Sequence, residues 1–208
     1  MKVLMVNGSP NKEGCTFTAL SEVAAALEKN GVESEFFHIG AKPVYGCASC
    51  RKCLKTHRCA IENDICNELV DKMAEADGIV IGSPVYYSGP NGALCALLDR
   101  AFYSSSARFC HKPAAAIVNC RRGGASAAFD RLNKYFTIAE MPVVSSQYWN
   151  ATHGFRPSDV LLDFEGLQIM RTLGNNMAWM LKNIASGSPP PKPEEKRLYT
   201  NFHDGKKG

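Results

Sequence analysis

Four of the nine cysteines crowd into one short stretch, Cys47-x2-Cys50-x2-Cys53-x5-Cys59. Two successive two-residue gaps let three thiolates converge from one compact loop, and the fourth returns after a short turn. That pattern suits a [4Fe–4S] cluster, in which each of four irons takes one thiolate. It suits zinc as well, although zinc sites more often come as two separated pairs. The same cysteines could also be redox thiols or plain structure. A disulfide framework is a poor reading, because nine is odd and no export signal is expected. The scattered cysteines, among them Cys15, Cys66 and Cys120, are expected to pack as small hydrophobes. Lys52, Lys55, His57 and Arg58 either offset the charge of a cluster or solvate the loop.

A second set of candidates lies in Gly8-Ser9-Pro10-Asn11-Lys12-Glu13-Gly14-Cys15-Thr16, between an apolar run and a helical pattern. Backbone N–H groups at a helix start form an anion site, and Ser and Thr hydroxyls add donors. The dinucleotide pattern G-x-G-x-x-G is absent. The triphosphate loop fails too, since its glycine spacing is wrong and no Lys-Ser/Thr follows. What remains is a loop for a phosphate monoester, or an ordinary turn with a helix cap at Thr16. A third set is Ser83-Pro84-Val85-Tyr86-Tyr87-Ser88-Gly89-Pro90. Its tyrosines, prolines and glycine make a rigid aromatic platform for a flat cofactor, or a cover for the end of a sheet.

The elements that must position these loops alternate. Val3 to Val6, Glu33 to Ile39, Gly78 to Gly82, Ala114 to Val118 and Met141 to Ser145 read as strands. Helices are expected from Phe17 to Leu27, Asp64 to Ala76, Ala93 to Phe102, after Gly124 to Phe136, and from Gly166 to Ile184, where apolar residues recur at helical spacing. Strand and helix alternating five times predict a five-stranded parallel sheet with helices on both faces, an α/β fold. Ligands of such sheets bind beyond the carboxyl ends of the strands. The loops after strands one, three and four are therefore the ones to search.

At these loops the chain resembles the NADPH-dependent FMN reductase and multimeric flavodoxin group. Gly8-Ser9-Pro10 with Gly14 and Thr16, then Gly82-Ser83-Pro84-Val85-Tyr86-Tyr87, carry the likeness. Val118 to Gly124, Gln147-Tyr148-Trp149-Asn150 with His153-Gly154, and Glu165 to Trp179 extend it over residues 1 to about 184. The resemblance implies a flavodoxin-like three-layer sandwich with one FMN bound non-covalently. It implies phosphate on Ser9, Asn11, Cys15 and Thr16, the isoalloxazine against Pro84, Val85, Tyr86 and Tyr87, and Arg121, Gly123 and Gly124 at the pyrimidine edge. Cys15 departs from the group's usual Asn. Iron–sulfur flavoproteins, a branch of the group, carry the four-cysteine motif at this position. Arg121 and Arg122 could each be solvated charges, and His153 either contacts substrate or flavin or is a loop histidine. The resemblance also implies a homodimer or homotetramer whose flavin site borrows a partner's loop.

Size and charge agree with one domain: 208 residues, 45% hydrophobic, 21% charged and a formal net charge of +4. No basic stripe with interleaved aromatics points to nucleic acid, and no apolar run suits a membrane span. A cytoplasmic protein is expected, with residues 1–185 as the FMN-binding domain, 40–63 as a cysteine-rich insertion and 186–208 as a Pro-rich arm. The leading function is an FMN-dependent oxidoreductase that takes electrons from NAD(P)H and reduces a quinone, a flavin or another small acceptor. The alternative is an electron carrier between protein partners.

Overall fold

The computed structural model describes residues 1–191. The greater part of the expected Pro-rich arm, residues 192–208, lies outside the described residues. Four strands run parallel at the centre: β1 (Lys2–Asn7), β2 (Glu33–His38), β3 (Gly78–Tyr86) and β5 (Ala114–Cys120). A short β6 (Ala151–His153) completes the order β2-β1-β3-β5-β6, and β4 (Gly89–Pro90) folds back antiparallel on β3. The helices are α1 (Cys15–Lys29), α2 (Cys53–Thr56), α3 (Cys66–Glu75), α4 (Gly92–Ser105), α5 (Ala125–Ile138), α6 (Pro157–Val160) and α7 (Phe164–Ser186).

The layers follow from side-chain alternation along strands buried on both faces. Val3 and Met5 of β1, Val80 of β3, and Ala115 and Ile117 of β5 pack against α1 and α7. Leu4, Val6, Ile79, Ile81, Ala114, Ala116 and Val118 pack on the opposite side against α3, α4 and α5. The result is the flavodoxin-like sandwich, with the carboxyl ends of β1, β3, β5 and β6 at one edge.

Two elements differ from expectation. The fifth strand does not occupy Met141 to Ser145. There Val143 makes a single bridge to Ala114, and the bonds run only from the Ala114 amide to the Pro142 carbonyl (2.9 Å) and from the Val144 amide to the Ala114 carbonyl (2.8 Å). The chain then swings outward and rejoins β5 at Ala151. Buried Asn150 closes the excursion: its carbonyl accepts from the Val118 amide at 3.0 Å, and its side chain donates to the Ala116 carbonyl at 3.1 Å. A side chain thus satisfies the β5 edge where a continuous strand would have done so. Strand three, in turn, runs past Gly82 to Tyr86 and turns back in a hairpin. Tyr87 and Ser88 at its tip have φ of 49° and 60°, the left-handed pair of a tight hairpin turn that glycine and asparagine usually supply.

Candidate functional site

The loop after β1 is wound on its own polar groups. Buried Asn7 accepts from the Ser9 amide (3.1 Å) and donates to the Lys12 carbonyl (3.0 Å). The Ser9 hydroxyl accepts from the Asn11 amide (3.1 Å), and Nε2 of His38 lies 2.9 Å from the Ser9 carbonyl. Gly8 is required by close approach: a Cβ there would lie 2.5 Å from Leu94 Cδ2 and 2.6 Å from the Gly82 carbonyl oxygen. α1 starts behind Gly14, which offers no side-chain cap. Its first-turn N–H groups are left for a ligand, the usual basis of an anion site. Thr16 lies inside the helix and caps nothing. Among the described residues its hydroxyl makes no hydrogen bond and lines the cavity described next, whereas Thr18 donates to the Gly14 carbonyl at 3.3 Å.

These residues line a cavity of about 400 Å³ at the carboxyl edge of the sheet. Ser9, Asn11, Cys15 and Thr16 come from the first loop, Pro84, Val85 and Tyr86 from β3, and Arg121 from the end of β5. The size is within the range of small-molecule and cofactor sites. Sequence reading missed Phe155 and Pro157, and had Gly14, Asn119, Cys120 and Gly154 only as members of the motifs that carry the resemblance, without a role of their own at the site. Asn119 is oriented by Thr152, to whose carbonyl (3.2 Å) and hydroxyl (3.1 Å) it donates. Burial pushes the thiols of Cys15 and Cys120 up, so both stay protonated at neutral pH.

Tyr87, Gly123 and Gly124 do not line this cavity. Tyr87 stands fully exposed at the hairpin tip. Gly123 and Gly124 line a neighbouring cavity of about 290 Å³ with Arg122, Phe129, Tyr148, Trp149 and His153. Gly124 packs against the hairpin that follows β3. Its φ is +86°, and a Cβ there would lie 2.8 Å from Cα of Ser88, so the third loop rests directly on the hairpin. The His153 amide donates to Asp163 at 2.6 Å, and the ring Nδ1 lies 3.4 Å from the same carboxylate oxygen.

The cysteine segment forms a loop with one short helix, α2. Cys47 and Cys50 are exposed, Cys53 and Cys59 half-buried. Burial raises the Cys53 thiol, and the neighbouring Cys50, Cys59 and Cys47 raise it further. The four sulfurs are not at single-ion spacing. Among the described residues only Cys110, His111 and Glu140, at the other end of the sheet, bring three ligand atoms within 4.8 Å of one another. A cubane carries its thiolates on separate irons and holds them wider apart than one zinc ion does. The backbone suits an anion too. Ser49, Arg51 and His57 have φ between 51° and 58°, and Arg51 is followed by Lys52 in right-handed helical geometry. Left- and right-handed residues in succession turn their N–H groups inward, the nest found at many iron–sulfur and phosphate sites. Four thiol donors on such a backbone fit a [4Fe–4S] cluster.

Cys59 is the most firmly held of the four. Asn67 accepts from its amide and donates to its carbonyl, both at 3.0 Å. Arg100, 2% exposed, donates to its Sγ at 3.1 Å. The same guanidinium pairs with buried Asp64 and donates to the carbonyls of Tyr45 (3.1 Å) and Ile61 (2.8 Å). Burial opposes the Asp64 charge, but Arg100 and the amides of Cys66 and Tyr45 hold its carboxyl below the ordinary range. Breaking such a buried pair typically costs about 3–5 kcal/mol. Cys66, fully buried beside Cys59, is pushed up to about 12, chiefly by burial, and so remains a thiol.

Comparison with known proteins agrees with this geometry. Residues 1–156 match the sequence model of the NADPH-dependent FMN reductase family. An iron–sulfur flavoprotein of Methanocaldococcus jannaschii is 33% identical over 88% of this chain and 99% of its own. An NADPH azoreductase of a Bacillus species is 30% identical over 78% of this chain and 77% of its own. In fold, a WrbA-like flavodoxin from Agrobacterium tumefaciens superposes with a TM-score of 0.60 at 16% identity, covering 88% of this chain and 96% of that one.

Proposed function

Because the chain belongs to the NADPH-dependent FMN reductase family, we propose that the 400 Å³ cavity holds one FMN and that the protein is an FMN-dependent oxidoreductase fed by NAD(P)H. One observation carries the assignment of residues: three loops far apart in sequence meet at one cavity beside an uncapped helix start. Ser9, Asn11, Cys15, Thr16 and the first-turn amides of α1 would hold the phosphate. Pro84, Val85 and Tyr86 would wall one face of the ring, and Phe155 and Pro157 would help to exclude water from it. Arg121 puts a cation at the rim, which favours negative charge on a ring bound beside it. Gly124 would support the pyrimidine edge of the ring through the hairpin on which it packs, with Gly123 beside it in the same loop. When bound, FMN supplies hydride acceptance and electron delivery, which no side chain here can do.

Cys47, Cys50, Cys53 and Cys59 would hold a [4Fe–4S] cluster, which when bound supplies one-electron transfer. That makes an electron carrier between protein partners the second reading, favoured by the fit of the cysteine loop. The acceptor in the first reading is a quinone, a flavin or another small molecule. The donor in the second is a redox protein. We place the protein in the cytoplasm as a homodimer or homotetramer, with neither nucleic acid nor membrane as a partner. No helix among the described residues is long and apolar enough to cross a membrane.

The test uses protein made and purified without oxygen. Acid precipitation should release FMN, and iron analysis should give about four irons per chain, as a [4Fe–4S] site requires. Cys50→Ser should abolish the iron and leave FMN bound. Released FAD, or no FMN binding at saturation, would sink the flavin assignment; iron near zero would reject the cluster. Steady-state oxidation of NAD(P)H then separates reductase from carrier.

A further inference from the structure

Arg100 is a charge in the wrong place for a solvated helix. It lies on α4 in the protein interior, 2% exposed, and arginine is almost never fully buried unless its donors are matched. All of its hydrogen bonds go to the segment that carries the cysteines. Nη1 reaches the Tyr45 carbonyl ahead of the first cysteine and the Asp64 carboxylate beyond the last. Nη2 takes the Ile61 carbonyl, and Nε points at the sulfur of Cys59 from 3.1 Å. The two ends of the insertion are thus tied to one guanidinium. Carbonyl and carboxylate bonds would be enough to anchor a loop. The Nε–H on sulfur adds something else, because a thiol is a weak acceptor and a metal-bound thiolate a good one.

We propose that Arg100 is the positioning residue of the iron–sulfur site: it fixes Cys59 as a cluster ligand and, through its N–H···S bond, raises the cluster's reduction potential. The inference rests on the cluster reading given above. Its sign follows from charge. Reduction makes the cluster more negative, and a cationic donor on a ligand sulfur stabilises that state more than the oxidised one. Hydrogen bonds to ligand sulfurs are among the features that set such potentials. Asn67 provides the contrast, since it grips the backbone of the same cysteine and leaves the sulfur alone.

The experiment compares wild type, Arg100→Lys and Asn67→Ala, each full-length and purified anaerobically. FMN content, iron content and the cluster midpoint potential are read by spectroelectrochemical titration. Lysine keeps a charge on α4 but cannot serve four partners at once. Arg100→Lys should keep FMN and show a lower cluster potential, by about tenfold in the equilibrium constant, roughly 59 mV for one electron. Asn67→Ala should keep the wild-type potential. Arg100→Lys that binds FMN normally but holds no iron would also support the positioning role. Full iron with an unchanged potential would overturn the inference while leaving the cluster intact. Loss of FMN and iron together would overturn it as well, since Arg100 would then serve general packing. Wild type without iron would reject the cluster reading itself, and this inference with it.

Discussion

Thr16 and Thr18 differ by two positions and by what their hydroxyls do. Thr18 is occupied by the Gly14 carbonyl, whereas the Thr16 hydroxyl has no partner among the described residues and stands on the cavity wall, free to donate to a bound phosphate. Thr16→Ala should therefore weaken FMN binding by about 1.5–3 kcal/mol, the size of a hydrogen bond to a charged group. Thr18→Ala should leave it nearly unchanged. Fluorescence quenching titrations of the two variants check this, and equal dissociation constants would remove the phosphate from this loop. Composition marked Thr16 as either an anion ligand or a helix cap, and the family resemblance implied the first. Nothing in composition marked Arg100, which in sequence looks like any helix charge. Only the packing of α4 under the cysteine insertion buries it.

At the scale of elements, the hairpin after β3 and the start of α5 form one unit. Gly124 has a left-handed φ and no room for a Cβ beside Ser88, while Gly123, its neighbour, has open space. Gly124→Ala should destabilise the protein by about 1–3 kcal/mol, from the left-handed penalty and the overlap with the hairpin. It should also loosen FMN, because Val85 and Tyr86 move with that hairpin. Gly123→Ala should be close to neutral in both respects. Urea unfolding curves of the two variants, with and without FMN, make the comparison. A Gly124→Ala protein as stable as wild type would mean that the two loops are independent.

The same scale shows what sequence could reach. Unbroken apolar runs such as Val3 to Val6 and Ile79 to Ile81 identify strands buried on both sides, and β1, β3 and β5 lie where that pattern puts them, while the half-exposed β2 lies on the weaker alternation of Glu33 to Ile39. The fifth was misplaced because Met141 to Ser145 has the composition of a strand, yet Asn150 takes over part of its bonding. The first loop was legible because it is contiguous, and Asn119 and Gly154 fell within segments that the family resemblance marked, whereas Phe155 and Pro157 were not legible, since they reach the cavity only through the parallel order of β3, β5 and β6.

At the scale of the whole molecule, the face that carries the two cavities is unfinished among the described residues. Around the two cavities large apolar side chains stand in solvent: Tyr86 and Phe155 beside the first, Tyr148 and Trp149 beside the second. Leu161, Leu162 and Phe164 extend the series along α6 and the start of α7, and Phe164 is 74% exposed. Monomers rarely leave so many apolar groups together at the mouth of a polar site, and such surfaces mark contacts. A second copy is the economical cover, since closed homo-oligomers are the commonest assemblies of soluble proteins. Among the described residues the cavity is open on one side, and a ring bound there would meet water on its outer face. Flavin-loaded protein should therefore run as a dimer or tetramer in light scattering. Phe164→Asp, which lies outside the cavity lining, should shift it toward monomer and weaken FMN binding several-fold, because the partner would no longer close the site. A wild type that is monomeric with FMN bound would overturn this, and so would a monomeric Phe164→Asp with wild-type affinity, which would leave assembly unconnected to the flavin site.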